Sequence, residues 1–359
     1  MVRVIEDPKG KKKGEERAVS DNSKQGKQKK AGMSDHTQQG ANVAGEENHS
    51  VSLEEPSPSN ILALGYHGLP YPLSPCLIYL CLFPRSYEIP IRRLFLLCIF
   101  QGLMKPLAES CLNLEDLAES CLKELRDRNL IEVVSWRLDG SPKTCFVPST
   151  LYDSIPLIAT RMGYFHVHFI SDSTSKPPNF TIRRLVEYSD IEKNSFSGKE
   201  IQHLCSYISF NNEKKEPSRA VGKFLNKITT RGFGFLTVLD LEGVYKPALP
   251  ETLGRKLLLL RYVGLRRTFL NSIPESVCDI WYLEALDVKY TLITTLPMSI
   301  WKAYNLRHLY MHGIFLEIAI NDDEFPIHLK TLWGVVIGDS RRTVNWLTRL
   351  RVFAVEISG

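Results

Sequence analysis

The sequence predicts an α+β multidomain chain: a disordered polar tail, a helical winged-helix domain, then a leucine-rich-repeat solenoid. Three observations carry that reading. Residues 1–60 contain no Phe, Tyr, Trp or Cys. An amphipathic helix pattern followed by a hairpin pattern occupies 113–147. A Leu-x-x-Leu-x-Leu-like signature then recurs from Ile182 to Leu350. The boundaries expected are 1–59 for the tail, 60–165 for the helical domain and 166–359 for the repeats.

The tail is rich in Lys, Glu, Ser, Gly, Gln and Asn. Such a composition buries too little apolar surface to offset the entropy of ordering it. Its first 30 residues carry ten Lys/Arg against five Asp/Glu, and the next 30 carry five acids and no base. Lys11, Lys12 and Lys13 form a short basic run, a weak signal for acidic partners or nuclear import that reads more simply as a solvated tail.

In the second segment, 60–80 reads as two short helices, the second opening at Pro72. Pro90 suits the first turn of a helix reaching about Gln101. Asn113–Arg128 is the clearest helix: Leu114, Leu117, Ala118, Cys121, Leu122 and Leu125 form one apolar stripe. Asn113 is placed to cap it, with Glu115 and Asp116 in the first turn. Ile131–Arg137 and Lys143–Val147 flank Leu138-Asp-Gly-Ser-Pro142, a hairpin pattern. The hexapeptide Leu-Ala-Glu-Ser-Cys-Leu occurs at 107–112 and at 117–122, an offset that fits no solenoid period.

In the third segment the signature starts at Ile182, Leu204, Leu236, Leu260, Leu283, Leu306, Leu329 and Leu350, with steps of 24, 23, 23, 23 and 21 residues from Leu236 onward. The preceding step of 32 residues implies an insertion near 211–217. A second marker keeps the same phase at Leu249-Pro250, Ile273-Pro274 and Leu296-Pro297. Each unit supplies a short strand and a returning arc, and only stacked neighbours bury the leucines.

Composition excludes several function classes. The net charge of +5 is mild for 359 residues and by itself argues for no nucleic-acid partner. The eight cysteines form no Cys-x-x-Cys pair, which fits reduced thiols in a cytoplasmic protein better than a disulfide frame or zinc site. The most apolar run, Leu94–Met104, is too short to span a bilayer, and the amino terminus lacks the apolar core of a signal peptide, so no membrane contact is expected. His166 and His168, and His308 and His312, have no company at metal-ligand spacing. No catalytic motif occurs, so the chain is expected not to be an enzyme.

From Ile61-Leu-Ala-Leu-Gly-Tyr66 the chain resembles the plant disease-resistance proteins of the nucleotide-binding, leucine-rich-repeat kind, coiled-coil class. Pro75-Cys-Leu-Ile-Tyr-Leu-Cys-Leu-Phe-Pro84 with Tyr87-Glu-Ile-Pro90 is similar to the family's opening of its winged-helix part. Ile91-Arg-Arg-Leu94 to Leu103 and Asp116 to Leu130 continue the likeness, which covers roughly 61–359. It implies a truncated member that keeps the winged helix and the first repeats, incomplete at the carboxyl end.

Departures from the family pattern matter as much. Of four Gly-Lys pairs none is followed by the Ser or Thr of a phosphate-binding loop. Where the family has a Met-His-Asp motif whose His contacts the nucleotide phosphate, this chain has Val147, Pro148 and Ser149. The resemblance therefore implies a lost ADP/ATP site and no cofactor. It further implies a non-catalytic defence protein whose partner is a pathogen effector, a guarded host protein or a full-length relative. The alternative is a winged-helix nucleic-acid-binding protein with a basic tail. The would-be recognition helix Leu114–Arg128 argues against it, with five acids against three bases.

The best candidate site is the concave repeat face. Inside Leu-x-x-Leu-x-Leu the leucines point inward and the alternate positions outward. Those outward positions include Val238, Asp240 and Glu242. The partner-binding set is Tyr262, Arg266, Asp287, Lys289, His308, Tyr310, His312 and Trp333. It contains the residue types that anchor interfaces. The usual repeat Asn is replaced by Val244, Thr268, Thr291 and Ile314. Thr can supply part of the missing hydrogen bonding and Val or Ile cannot, so irregular turns are expected at Val244 and Ile314.

Overall fold

The computed structural model describes residues 2–4, 69, 73–80, 82–104, 114–137, 140–152, 166–168, 181–188, 199–210, 217–231, 234–316, 328–337 and 352–357. Its dominant feature is a sheet in which every neighbouring pair of strands is parallel. In chain order the repeat strands are β5 (His166–His168), β6 (Arg184–Glu187), β7 (Ser206–Ser209), β8 (Val238–Asp240), β9 (Tyr262–Gly264), β10 (Ala285–Asp287), β11 (His308–Leu316), β12 (Thr331–Ile337) and β13 (Val352–Ile357). From β6 on, each begins two residues after a signature leucine or isoleucine, so the repeat phase read from sequence is the phase of the fold.

Register explains why the pattern needs stacking. Leu239, Val263, Leu286, Leu309 and Leu332 align across β8–β12 and lie fully buried in one core behind the sheet. The other wall of that core comes from helix Arg219–Thr230 and the short helices Leu253–Lys256 and Glu275–Cys278. Close approach of these arcs depends on Gly254. A Cβ there would lie 1.7 Å from the Ser276 carbonyl oxygen. The Ser276 hydroxyl instead accepts from Gly254 N at 3.2 Å and donates to the Glu251 carbonyl at 2.8 Å.

The substituted turn positions behave according to their chemistry. Thr268 and Thr291 each donate a hydroxyl hydrogen bond to the carbonyl three residues back, at 2.6 and 2.7 Å. At Ile314 the register slips between Tyr310 and Ile314, with Gly313 at φ 64°, so the strand runs on through an irregularity. Val244 instead closes an ordinary turn, its N–H on the Leu241 carbonyl at 3.0 Å. Gly243 just before it, at φ 87°, takes the left-handed conformation that Arg267 and Tyr290 take at the equivalent positions of the next repeats, so the irregular turn expected there does not form.

Ahead of the repeats lie α1 (Leu73–Leu80), α2 (Ile91–Phe100) and α3 (Leu114–Asp127). Strands β3 (Glu132–Trp136) and β4 (Pro142–Phe146) form the hairpin, and β2 (Ile89–Pro90) pairs antiparallel with β4. Pro90 precedes α2 and lacks the N–H that this position leaves unpaired. Ala118, Cys121, Leu122 and Leu125 of α3 are buried, as the stripe requires.

One expectation is corrected. Residues 2–4, assigned to the tail by composition, form a strand, β1, that pairs parallel with β13. The outer edge of a last repeat strand presents unpaired backbone groups, and Val-Arg-Val is a good strand former that satisfies them. The remainder of the expected tail, the helix expected ahead of Pro72 and the first copy of the hexapeptide lie outside the described residues.

Candidate functional site

The helical segment does not stand apart from the repeats. It packs on the concave face of the sheet, and the two share one core, in which Val186, Ile208, Val238, Tyr262 and Ala285 of the strands join the helical apolar residues. The contact is built around α2. That helix is apolar on nearly every side and buries Ile91, Leu94, Leu96, Leu97, Cys98, Ile99 and Phe100. Its only charged residues are Arg92 and Arg93, both in the first turn. Cations there oppose the helix dipole, so the pair needs compensation from elsewhere.

Three carboxylates supply it. Arg93, with 0% exposure, donates from Nε to Asp240 Oδ2 at 2.7 Å and lies 3.7 Å from Glu242 Oε2. Arg92 donates to Glu242 Oε2 at 2.8 Å and places Nη1 2.6 Å from Asp287 Oδ2. Asp240 and Asp287 occupy equivalent register positions at the ends of β8 and β10, separated by Gly264 of β9. A side chain at Gly264 would collide with Asp240 and with the Tyr262 hydroxyl. Each Asp also accepts the N–H two residues on, from Glu242 and Lys289, both at 3.0 Å. The orientation of each carboxylate is thus supported by its own strand as well as by the arginines.

Electrostatics follow from burial opposed by pairing. Burial works against charging Arg93 and Arg92, but the adjacent carboxylates outweigh it and hold both guanidinium groups protonated above the usual arginine range. Burial pushes the Asp240 carboxyl upward against the pull of Arg93. It pushes on Glu242 too, yet Arg92, Arg93 and Arg266 together hold that carboxyl below its ordinary value.

Aromatic rings seal the pair. The Arg93 guanidinium lies over Phe210 at 4.7 Å and donates to the Tyr87 hydroxyl at 3.2 Å, and Phe83 and Tyr188 pack on Phe210. Phe100 stacks on Tyr262 with centroids 5.7 Å apart and planes 2° from parallel. At the end of α2, Gln101 bonds the Ser206 hydroxyl and accepts from Arg184 at 2.9 Å.

This docking divides the residues chosen from sequence. Tyr262 and Asp287 are fully buried beneath α2, and Lys289 and His308 are buried among strand residues, against Trp333 and Thr331. They face the chain's own helix and neighbouring strands, not solvent, which corrects the expectation that they are open to a partner. The outward phase assigned to them is right, but an apolar helix covers the first half of the face. Tyr310 is half-buried with Arg92 over its ring at 5.6 Å. Beyond α2 the face opens: Arg266 lies over the exposed Tyr290 at 4.7 Å, exposed His312 is 5.0 Å from the same ring, and half-buried Trp333 carries Lys289 over its ring at 4.1 Å.

Sequence reasoning missed Arg92, Arg93 and Tyr290. A signal for the arginines was present: two adjacent cations at the amino-terminal turn of an otherwise apolar helix. Tyr290, one residue past the outward positions, left none. At the expected nucleotide-sensing motif, Val147 packs against the helical core and the Pro148 carbonyl accepts from Leu151 and Tyr152 N–H groups. None of Val147, Pro148 and Ser149 carries a charge. Among the described residues no group of three or more His, Cys, Asp or Glu is placed to hold a metal ion, and no helix is long and apolar enough to cross a membrane.

Comparison with known proteins fits this picture. Residues 220–359 match the family model described as a leucine-rich repeat region. The chain is 26% identical over 258 residues to the ToMV susceptible protein tm-2 of Solanum lycopersicum, covering 70% of this chain and 29% of that protein. It is 28% identical over 246 residues to the disease resistance protein Pik-2 of Oryza sativa subsp. japonica, covering 67% and 23%. It is 29% identical over 325 residues to the late blight resistance protein R1-A of Solanum demissum, covering 83% and 24%. The chain thus spans less than a third of the length of each of these relatives.

Proposed function

We propose, from its similarity to plant disease-resistance proteins, that this chain is a non-catalytic, cytoplasmic defence protein of the nucleotide-binding, leucine-rich-repeat kind that recognises another protein through its repeats. The helical segment, read as a winged helix, is its regulatory packing module, and the chain works without resident ADP or ATP. The partner is a pathogen effector, a guarded host protein or a full-length relative.

The observation that supports this reading is the divided concave face. Arg92 and Arg93 fasten α2 to Asp240, Glu242 and Asp287 over the first repeats, while Tyr290 and His312 stay exposed beyond it, beside the half-buried Trp333 and an Arg266 paired with Asp287 at 3.6 Å. A partner seated on the open half meets Tyr, Trp and Arg, residue types that dominate interface energetics. The Trp333 ring it meets lies under the buried Lys289 ammonium at 4.1 Å, and the Lys289 N–H is held by Asp287, so occupancy is passed through Trp333 to the arginine pair. An unmasked first half would expose Tyr262 and Val238, which favours the closed arrangement when no partner is bound.

Co-immunoprecipitation from leaf tissue tests it, with candidate effectors and full-length resistance proteins co-expressed. The expected result is a specific partner retained by wild type and lost from Trp333→Ala and His312→Ala at equal protein levels. A partner retained by both variants, and lost only when residues 1–57 are removed, would overturn the assignment to the repeats.

A further inference from the structure

The repeats carry a second surface, on the edge where each returning arc turns into the next strand. Phe235, Leu258, Trp281 and Tyr304 occupy this turn in four successive repeats, at a constant step of 23 residues. Each follows a helical arc and precedes a strand, so parallel in-register pairing lays the turns side by side, about 4.8 Å apart as strand spacing dictates. All four are exposed: Phe235 by 51%, Leu258 by 55%, Trp281 by 64% and Tyr304 by 49%. Two of the four are in contact: Trp281 stacks on Tyr304 with planes 10° apart, and Asn305 donates to the Trp281 carbonyl at 2.7 Å.

A single exposed apolar residue is ordinary, but a periodic row of large ones marks a contact surface. Its charge is one-sided. Arg231, Arg255, Lys256 and Lys302 are exposed in the same turns or at the helix ends leading into them, against one exposed acid, Asp279. Glu284 is already held by Arg261 at 2.5 Å and Arg307 at 3.6 Å.

We propose that this basic, aromatic rim lies flat on an anionic phospholipid surface. Trp and Tyr favour the boundary between headgroups and acyl chains, Leu and Phe enter it, and Lys and Arg answer anionic headgroups. A row of large exposed side chains repeated from unit to unit presents many similar contacts, which suits an extended lipid surface. Nucleic acid fits less well: Trp281 and Tyr304 stack on each other with centroids 6.1 Å apart, leaving no slot for a base, and Leu258 offers a base nothing specific. The contact is peripheral and needs no membrane-crossing helix. It also leaves the concave face free, so it stands independently of the function proposed above.

The test is flotation of the full chain with phosphatidylcholine vesicles, with and without phosphatidylserine, at low and moderate salt. Wild type is expected to float with the mixed vesicles only, and less as salt rises. Trp281→Ala/Tyr304→Ala and Arg255→Glu/Lys256→Glu should each lower the bound fraction about tenfold at unchanged melting temperature. If either double variant melts early, Leu258→Ser supplies the same loss at an exposed site. Variants that float like wild type would overturn the proposal, and would place vesicle binding elsewhere, as in the basic run at Lys11. So would equal binding to neutral vesicles, displacement of vesicles by a single-stranded oligonucleotide, or a wild-type dimer that Trp281→Ala disperses.

Discussion

Arg93 of α2 and Asp240 of β8, 147 residues apart in sequence, meet at 2.7 Å with neither side chain exposed to solvent. A pair so buried loses the hydration of both ions and repays it only through good geometry. Asp240 receives a backbone N–H besides the guanidinium, and Arg93 has Tyr87 and the Phe210 ring, which meets part of that loss; Arg93 Nη2 is buried without a hydrogen bond. Removing one partner leaves the other charged in an apolar seam. Arg93→Ala is therefore expected to destabilise the chain by about 3–5 kcal/mol, as for other broken buried pairs. The double replacement Arg93→Met/Asp240→Leu should recover much of it. Urea unfolding of the four members of the cycle measures the coupling; additive effects would show that the pair is not what fastens α2.

Acid acts on the same seam through Glu242. Its carboxyl titrates in the folded chain below the ordinary 4.5, because the three nearby guanidinium groups outweigh burial. A depressed folded value means the folded state binds this proton less readily than the unfolded chain. The contribution is thus fully present above about pH 4.5 and is lost as pH falls through the depressed value. Asp240, raised by burial, works in the opposite sense, so the whole-chain profile mixes the two. Comparing wild type with Glu242→Gln isolates one group. The melting temperature of the variant should fall less steeply with acid below pH 4.5, and parallel curves would contradict the assignment.

Substitutions on three neighbouring strands, β10 to β12, separate core from face. Leu286 and Leu309 lie fully buried in the repeat core, so Leu286→Ala and Leu309→Ala should each cost about 2–5 kcal/mol in a denaturant titration. Trp333→Ala should be nearly silent for folding, since the ring stands on the open half of the face. Tyr310→Ala falls between: its ring packs against the helical core beneath Arg92. Its loss should loosen α2 and raise hydrogen exchange at Ile91–Phe100 without unfolding the repeats.

The repeat phase was legible because leucine spacing is a local signal repeated many times; any one unit confirms the next. The hairpin was legible from Leu138-Asp-Gly-Ser-Pro142 and α3 from its stripe. The seat of α2 was not, because Arg93 and Asp240 are joined by no periodicity and no local rule. Asp240, Glu242 and Asp287 were visible as outward-facing acids, but outward from a strand says only that a side chain leaves the leucine core. Whether it then meets water or another part of the same chain is settled by surfaces brought together from far apart. The strand at 2–4 was hidden for a similar reason: three residues in a polar setting gain order only from the free edge of β13.

Among the described glycines the closest approach is at Gly254, and it gives the last expectation. Its Cα faces the next arc so closely that an added methyl would sit 1.7 Å from the Ser276 oxygen and 2.4 Å from the Ser276 carbonyl carbon, both backbone atoms. Backbone cannot rotate aside as a side chain can, so one arc must move off the other. That movement would also stretch the bond from Gly254 N to Ser276 Oγ and the one from Ser276 Oγ to the Glu251 carbonyl. Gly222 offers a milder comparison: its nearest obstacle is the Ala248 Cβ at 2.6 Å, with the Ala248 carbonyl at 2.9 Å. Gly254→Ala is expected to cost about 3 kcal/mol or more, the upper range for overpacking, and Gly222→Ala less. Ala ordinarily favours a helix over Gly by up to about 1 kcal/mol, so both losses run against intrinsic propensity and report packing alone. Denaturant midpoints of the two variants measure the order, and a Gly254→Ala chain as stable as wild type would mean the arcs at 254 and 276 stack less closely than described.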